Sequence, residues 1–304
     1  MAKSRWYKGC THAHTTESDG DVSPSKVAEW YNDHGYDWVI MSDHNTVTKL
    51  HNGGKLEGLL TITGEEVTAH IEGDPVAVYV NAFRLSKNVE PIISDGVLAT
   101  LQANVNAIIS SGGIASFGAP YYRDGFDHTS ILDVTGPNLM EVFNGHPANI
   151  LGDPRTFSYE NIWDMFLERG RVMYGTATDD SHNYFNFSAD NANPGLAWVM
   201  VSAQELSETA ILEGLTTGNF YASTGVTLGE LEISKYSISL KIDSRFPNSL
   251  QEYTTTFIGK AGETLAEKTG LEAKYQFKGD ENYVRARVDS SWGARAWIQP
   301  VFLN

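Results

Sequence analysis

Short apolar runs alternate with helix-type segments from about residue 5 to residue 222. Trp38–Met41 is a run of four apolar residues without polar alternation, which is typical of a strand buried on both faces. Similar runs predict further strands at 114–117, 139–143, 172–174 and 196–201. Strands that alternate with helices in this way favour parallel pairing through crossover helices, so an α/β fold is predicted for this part of the chain.

Turn and capping residues delimit the helices between these strands. Ser23 supplies an N-cap oxygen, Pro24 is pre-set for the first helical position, and Gly35 ends the helix. The same kinds of signal predict three more helices, over 97–109, over 162–170, and through 215–218 after a capping box of Ser202 and Glu205.

The pattern changes after Ser223-Thr224-Gly225 to strands in which apolar and polar residues alternate, with polar gaps between them. Alternation with period two is typical of antiparallel strands that have one face in a core and one in water. Five such strands are predicted, at 229–233, 237–242, 253–258, 283–288 and 296–302. We therefore predict two domains, residues 1–222 and a small antiparallel β-sandwich over residues 223–304.

Composition narrows the class of protein. The 304 residues carry a formal charge of −16, and a field of this sign repels polyphosphate backbones, so a nucleic-acid partner is not expected. No apolar run approaches the length of a membrane span, and a single cysteine excludes an internal disulfide framework. The start, MAKSRWYKG, lacks the apolar stretch of a secretion signal. A cytoplasmic location is therefore expected, with no membrane partner; the oligomeric state stays open.

Ligand-type side chains follow several of the predicted strands. His12 and His14 lie two residues apart, so in an extended segment both imidazoles point to one face, and Asp19 comes five residues later. Because parallel strands in an α/β barrel share one direction, groups at their carboxyl ends converge on one mouth. Mixed nitrogen and oxygen ligands suit Zn²⁺, Mn²⁺ or iron. The further groups with this placement are Asp43-His44, Glu65-Glu66 and Asp180-Ser181-His182.

For some residues near these groups, a structural role is favoured over metal binding. Asp179 is expected outside the ligand set, and Cys10 is expected as a small buried residue. The remaining histidines fall into two groups: His34 and His51 are expected at the surface, whereas His70, His128 and His146 stay undecided.

The sequence resembles the polymerase-and-histidinol-phosphatase (PHP) family of metal-dependent phosphoesterases. The resemblance rests on THAHTTESDG, SPSKVAEWYNDHGYDWVIMSDHNT, TGEEV and DDSH. GNFYASTG and a β-rich tail that ends in AWIQPVFL are similar to the branch named after carbaryl hydrolase. The resemblance implies a distorted seven-stranded (β/α) barrel with up to three metal ions at its mouth.

The resemblance also implies which residues bind metal. His12, His14, Glu66 and Asp180 would hold one ion, and Asp19, His44 and His182 another. Glu66 rather than Glu65 fits the Gly-x-Glu pattern of a carboxylate that bridges two ions. Tyr79 and Ala119 stand where the family has two more histidines. Because neutral tyrosine is a poor ligand and alanine is none, one or two metal ions are expected rather than three.

Three functions stay open at this stage. The first is a phosphoesterase in which metal-activated water attacks a small phosphate ester, with Asp180 or His182 as a proton acceptor secondary to its ligand role. The second is hydrolysis of carboxyl esters or carbamates, and the third is metal-dependent binding without catalysis. The expected partner is a small, anionic substrate. Arg123 is a candidate phosphate clamp, with a plain surface position as the favoured alternative.

Overall fold

A computed structural model describes residues 4–50, 56–74, 77–118, 130–150, 159–244 and 250–303. In these ranges the strands are β1 (Arg5–Cys10), β2 (Trp38–Met41), β3 (Leu60–His70), β4 (Ala77–Phe83), β5 (Ile114–Ser116), β6 (Leu139–Asn144), β7 (Tyr174–Thr178), β8 (Trp198–Ala203), β9 (Phe220–Ser223), β10 (Leu228–Ile233), β11 (Ser237–Ile242), β12 (Tyr253–Ile258), β13 (Thr264–Thr269), β14 (Glu272–Gln276), β15 (Tyr283–Ser290) and β16 (Arg295–Phe302). The α-helices are α1 (Pro24–Asp33), α2 (Gly96–Ser110), α3 (Pro147–Ile150), α4 (Tyr159–Glu168) and α5 (Glu208–Thr217).

The strands form one large mixed sheet and two small groups. The order in the 11-stranded sheet is β13-β12-β15-β16-β9-β8-β1-β2-β3-β4-β5. Strands β10, β11 and β14 form a three-stranded sheet, and β6 pairs with β7. The fold is therefore α/β, as predicted, with a large sheet and few helices.

The prediction of parallel pairing in the first two thirds of the chain is correct only for some of the strands. Pairing is parallel between β1, β2 and β3 and between β6 and β7, but β3-β4, β4-β5, β1-β8 and β8-β9 are antiparallel. The reason is the connection from β3 to β4, which is too short for the crossover that parallel neighbours need. The pattern of apolar residues in β3 and β4 is the same for a parallel and for an antiparallel pair, so the sequence pattern could not show that they form a hairpin.

Backbone hydrogen bonds join the ends of strands that are distant in sequence. The Phe117 amide donates to the Leu139 carbonyl at 3.0 Å, which links the segment after β5 to β6. The His14 amide donates to the Ser181 carbonyl at 2.9 Å, which links the segments after β1 and β7. The Ser42 amide donates to the Ala13 carbonyl at 2.9 Å. The carboxyl ends of β1, β2 and β7 therefore meet at one place.

The C-terminal strands continue the large sheet. β9 crosses the predicted boundary at 222/223 and pairs with both β8 and β16, so no gap in strand pairing marks that position. Apolar side chains of β10, β11 and β14 share one buried cluster with those of β12, β15 and β16. The division at residue 223 stays a prediction. No helix in the described ranges is long and apolar enough to cross a membrane.

A buried ionic cluster connects α4 to β15. The guanidinium of Arg285, which is 2% exposed, donates from Nε and Nη2 to the two carboxylate oxygens of Asp164, each at 2.7 Å. Its Nη1 donates to Glu160 at 3.2 Å, and Tyr283 also donates to Asp164 at 2.9 Å. Such a bidentate pair fixes the angle between the helix and the strand.

Several element boundaries differ from the prediction. Ser23 stands at the N-cap of α1 but makes no side-chain cap bond. The predicted Ser202/Glu205 capping box is wrong: Ser202 lies in β8, and the cap of α5 is Ser207, whose hydroxyl accepts from the Ala210 amide at 3.3 Å. β7 begins at Tyr174 rather than at residue 172. The sequence prediction missed β13 and β14 because both are rich in polar residues.

Candidate metal centre

Two histidines and an aspartate form the deepest part of the cluster. His12 and His14 follow β1 in the extended segment that pairs with Ser181, so both rings lie on one side of the chain. Their Nε2 atoms are 3.0 Å apart. Asp180 Oδ1 lies 3.3 Å from Nε2 of His12 and 3.2 Å from Nε2 of His14. The three ligand-type atoms form a nearly equilateral triangle.

A second group surrounds Asp19 at the outer side of the cluster. Asp19 Oδ1 is 3.4 Å from His14 Nδ1 and 3.3 Å from His182 Nε2. Its other oxygen is 3.5 Å from His44 Nε2. The rings of His14 and His182 stack with centroids 4.1 Å apart. The two groups are therefore in direct contact through His14.

Glu66 lies between the two groups. Its Oε2 is 3.6 Å from Nε2 of both His12 and His14 and 3.0 Å from His44 Nδ1. The sequence pattern predicted Glu66 just after the end of a strand. In the structure Glu66 lies in the middle of β3, because β3 continues to pair with β4. Glu65 points to the opposite face and accepts from the Val89 amide at 2.9 Å. The alternation of the strand thus directs Glu66, and not Glu65, into the cluster.

The spacing of these atoms fits a divalent metal ion. Ligand atoms 2.0–2.1 Å from a metal in tetrahedral or octahedral geometry are about 2.8–3.4 Å from one another. The inner triangle measures 3.0, 3.2 and 3.3 Å, within this range, whereas the outer group, at 3.3–3.5 Å, and Glu66, at 3.6 Å from both inner histidines, reach slightly beyond it. Imidazole nitrogen and carboxylate oxygen are both ligands that Zn²⁺, Mn²⁺ and Fe²⁺ accept. The side chains present therefore fit such ions.

Three buried polar residues that the sequence analysis did not select orient the inner group. Glu141 on β6 accepts from His12 Nδ1 at 2.8 Å, which leaves Nε2 of His12 directed into the cluster. Asn81 on β4 also donates to Glu141, at 2.9 Å. Asn144, at the end of β6, donates to Glu141 Oε2 at 2.9 Å and to Asp180 Oδ2 at 3.1 Å. The one sequence signal that could have identified Glu141 is its position as a lone acid within the apolar run Leu139–Phe143.

Two buried aspartates hold the loops that carry the ligand-type residues. Asp43 accepts from the Thr15 amide at 2.7 Å and from Ser18 Oγ at 2.7 Å, which closes the loop between His14 and Asp19. Asp179 accepts from the amides of Leu196 and Ala197 at 2.7 and 2.8 Å. Neither side chain belongs to the cluster, in line with the expectation for Asp179.

The residues of the cluster shift one another's pKa values. Burial favours neutral His12, but the carboxylates of Asp180, Glu66 and Glu141 outweigh this and raise its pKa well above the usual value. In the same way, Asp19 and Glu66 outweigh burial and raise the pKa of His44 to about 10. Burial favours protonated Asp180, yet the surrounding imidazoles depress its pKa. Positive charge, whether protons or a metal ion, therefore stabilises this cluster.

Asp180 has a left-handed backbone. Its φ is 50°, a conformation that non-glycine residues seldom adopt. The Asp180 amide donates to the His12 carbonyl at 3.1 Å, and the neighbouring His14 amide bonds to Ser181, so the surrounding chain holds this geometry. Strain of this kind is typical of positions where side-chain direction matters for function.

A cavity of about 160 Å³ opens onto the cluster. Its lining comprises His12, Asp19, His44, Glu66, Tyr79, Asn144, His146, Asn149, Asp180 and His182. All seven sequence-predicted ligands thus come together, since His14 contacts both groups. Tyr79 and His146 line the cavity, whereas His70 and His34 are exposed elsewhere and Cys10 is buried. Ala119, Arg123, His51 and His128 lie outside the described residues.

Comparisons with known proteins give a likeness of fold. No protein-family model and no curated protein sequence matches the chain. Among solved structures, a two-domain protein from Bacteroides vulgatus ATCC 8482 that contains a predicted PHP-like metal-dependent phosphoesterase is similar over 94% of this chain and 90% of its own, with a TM-score of 0.54 and 17% identity.

Two more solved structures match part of the chain. A putative metal-dependent phosphoesterase from Bifidobacterium adolescentis ATCC 15703 covers 61% of this chain and 92% of its own, with a TM-score of 0.42 and 16% identity. An amidohydrolase from Chromobacterium violaceum covers 61% and 93%, with a TM-score of 0.42 and 14% identity. At 17% identity, the similarity to the Bacteroides vulgatus protein shows a shared fold.

Proposed function

We propose that this protein is a divalent-metal-dependent hydrolase, and specifically a phosphoesterase that acts on small phosphate esters. The observation that carries this proposal is the convergence of four imidazoles and three carboxylates from four separate segments of the chain. Each of these side chains has a ligand-type atom within 3.6 Å of another. Ionisable groups that shift one another's pKa values and line a cavity are typical of a functional site.

The architecture belongs to the same proposal. Strands β1 to β7 would form a distorted seven-stranded barrel of the PHP type, closed by the hydrogen bonds after β5 and after β7. The three-stranded sheet and the C-terminal half of the large sheet would form the β-sandwich. The similarity to the carbaryl-hydrolase branch rests on the sequence motifs alone.

Two ions are the occupancy that suits an anionic substrate. His12, His14, Glu66 and Asp180 would hold one, while Asp19, His44 and His182 would hold the other. The three carboxylates of the set contribute about −3, so two divalent ions leave about +1 and a single ion about −1. Bound there, such ions supply Lewis acidity toward a phosphoryl oxygen and lower the pKa of water.

The residues of the chain supply orientation and proton transfer. Glu141 fixes which nitrogen of His12 faces the cavity, and Asn144 holds the carboxylate of Asp180 by its second oxygen. His182 has Nε2 toward the cavity, since its Nδ1 donates to the Asp180 carbonyl at 2.9 Å. Asp180 or His182 would accept a proton from the attacking water, in second place to metal binding.

The net charge of the ligands and metal ions also bears on a second candidate function, the hydrolysis of carboxyl esters or carbamates. With a single ion the cluster stays negative, which disfavours a phosphate and admits a neutral carboxyl ester or carbamate. Tyr79 lies in the cavity where an additional imidazole would strengthen metal binding. Metal stoichiometry thus distinguishes the two chemistries, and metal binding without turnover would indicate a binding protein.

The test combines metal analysis with three substrates. Wild-type protein loaded with Mn²⁺ or Zn²⁺ is assayed with p-nitrophenyl phosphate, bis(p-nitrophenyl) phosphate and p-nitrophenyl acetate, and bound metal is counted by elemental analysis. The double variant His12→Ala/His14→Ala should lose the inner ion and all turnover. The control is His34→Ala/His70→Ala, which removes two exposed histidines. Full activity without the inner histidines contradicts the proposal, and an inactive wild type with two tightly bound ions favours binding without catalysis.

A further inference from the structure

Part of the cavity wall belongs to neither group of ligand-type residues. Tyr79, Asn144, His146 and Asn149 line it together, and three of them follow one another at and after the end of β6. None carries a negative charge at neutral pH, and the described lining contains no lysine or arginine. The cavity thus has a metal-ligand side and a side of neutral hydrogen-bonding groups.

Asn144 ties the two sides together. Its Nδ2 donates to Glu141 and to Asp180 on the ligand side. Its Oδ1 accepts from the His146 amide at 2.9 Å and from Asn149 Nδ2 at 2.8 Å. A single buried amide therefore fixes the distance between the Asp180 carboxylate and the segment that carries His146 and Asn149.

The hydrogen bonds leave one N–H on each of these two residues for another partner. His146 Nδ1 accepts from the Ala148 amide at 3.2 Å, so the proton of the neutral ring is on Nε2. The ring also packs edge-on against His182, with centroids 5.5 Å apart. Asn149 uses one of its two amide hydrogens for Asn144, and its Oδ1 accepts from Tyr159 at 3.3 Å. Among described residues neither remaining N–H has a hydrogen-bond acceptor.

We propose that His146 Nε2 and Asn149 Nδ2 donate hydrogen bonds to oxygen atoms of the terminal phosphoryl group of a small phosphate monoester. This rests on the phosphoesterase function proposed above and names its substrate class. His146 is then a substrate-binding residue and no metal ligand, as its absence from both groups of closely spaced ligand atoms also indicates.

The size of the cavity supports a small terminal group. Sites for drug-sized ligands have about 300–1,000 Å³, whereas this cavity has about 160 Å³, the volume of roughly five water molecules. A phosphoryl group with a short alcohol fills such a space. Donors on one side and ions on the other would hold its oxygen atoms from opposite directions.

The experiment measures binding of inorganic phosphate to the metal-loaded protein by isothermal titration calorimetry, together with bound metal by elemental analysis. His146→Phe keeps a ring and removes the donor, His146→Gln keeps a donor, and Asn149→Asp keeps the shape but replaces the donor with a negatively charged acceptor. His34→Phe is the matched control, because His34 stacks on Trp30 outside the cavity, with ring centroids 3.8 Å apart. Circular dichroism and a thermal melt establish that each variant is folded.

We expect unchanged metal content in every variant. The Kd for phosphate should rise about tenfold in His146→Phe, the equivalent of one hydrogen bond, and at least as much in Asn149→Asp, whose negative charge also repels phosphate, while His146→Gln should recover most of the loss. Loss of a metal ion in His146→Phe would overturn the assignment, because His146 would then be a ligand. Phosphate binding equal to wild type in both variants also overturns it, while the phosphoesterase function stands. A metal-loaded wild type that neither binds phosphate nor cleaves the esters overturns both proposals.

Discussion

Replacement of Glu141 by glutamine tests whether the hydrogen bonds behind the cluster control metal affinity. Glu141 Oε1 accepts from His12 Nδ1 and from Asn81, while Oε2 accepts from Asn144. Glutamine has one oxygen and one NH₂ in the same space. Its NH₂ must therefore face either the donors of His12 and Asn81 or the donor of Asn144. If Asn144 turns to resolve the conflict, it loses its bond to Asp180. The substitution thus disturbs His12 or Asp180 whichever way the new amide points.

The expected loss follows from this geometry. Removal of a partner behind a metal ligand costs about 10–100-fold in metal affinity, which corresponds to about 1.4–2.7 kcal/mol. Burial raises the pKa of Glu141 and the neighbouring His12 opposes this, and the hydrogen bond between the two side chains holds the imidazole in one orientation. Glutamine lacks the charge that stabilises this arrangement, and the inner ion should be the one affected.

The assay is competition with a chelator for Zn²⁺ or Mn²⁺, followed at each of the two occupancies. Glu281→Gln is the control, because Glu281 is a carboxylate with several hydrogen bonds, among them Tyr275 at 2.7 Å, and it lies in the C-terminal region between β14 and β15. We expect weaker binding of one ion in Glu141→Gln and wild-type binding in the control. Equal affinities in wild type and Glu141→Gln would refute the reasoning, and equal losses in both variants would assign the effect to general destabilisation.

Three predictions concern stability, measured by urea unfolding. Arg285→Met leaves Asp164 buried without its cation and should lower the free energy of unfolding by about 3–5 kcal/mol; a loss below about 1 kcal/mol would contradict the role of this pair. Ser207→Ala removes the cap of α5 and should cost about 1 kcal/mol, whereas Ser202→Ala should stay within about 0.5 kcal/mol, and the reverse order would restore the sequence-based cap. Burial opposes ionisation of Glu281, but its hydrogen bonds lower its pKa from 4.5 to about 2. Its contribution is therefore complete above pH 4.5 and lost as the pH falls toward 2, so the difference of about 1 kcal/mol between wild type and Glu281→Gln at pH 7 should shrink at pH 3.5.

Local patterns in the sequence located many of the elements and the outer form of the site. The apolar run Trp38–Met41 became β2 without any shift, and the signals around Pro24 and Gly35 bracketed α1. The spacing of His12 and His14 also sufficed to place both rings on one side of the chain. These features depend on residues a few positions apart, whose geometry backbone stereochemistry determines.

The sequence pattern gave the wrong direction for several strand pairs and did not show the inner partners of the cluster. Glu66 looked like a residue after a strand, whereas pairing with β4 continues the strand through it. Glu141 and Asn144 became recognisable only when β6 came to lie beside His12 and Asp180. Hydrogen bonds between residues more than a hundred positions apart, such as that of His12 to Glu141, leave no local signature.

Residue types and their short-range spacing thus determined on their own that this is an α/β chain with metal-type ligands after several strands. Only the tertiary structure decided that the β3–β4 hairpin is antiparallel, that Glu66 faces the cluster, and that His146 and Asn149 share its cavity. The physical reason is range: helix periodicity, capping and side-chain alternation act over a few residues. The direction of strand pairing and the contact partners of a buried side chain depend on which distant segments pack against each other and exclude water between them.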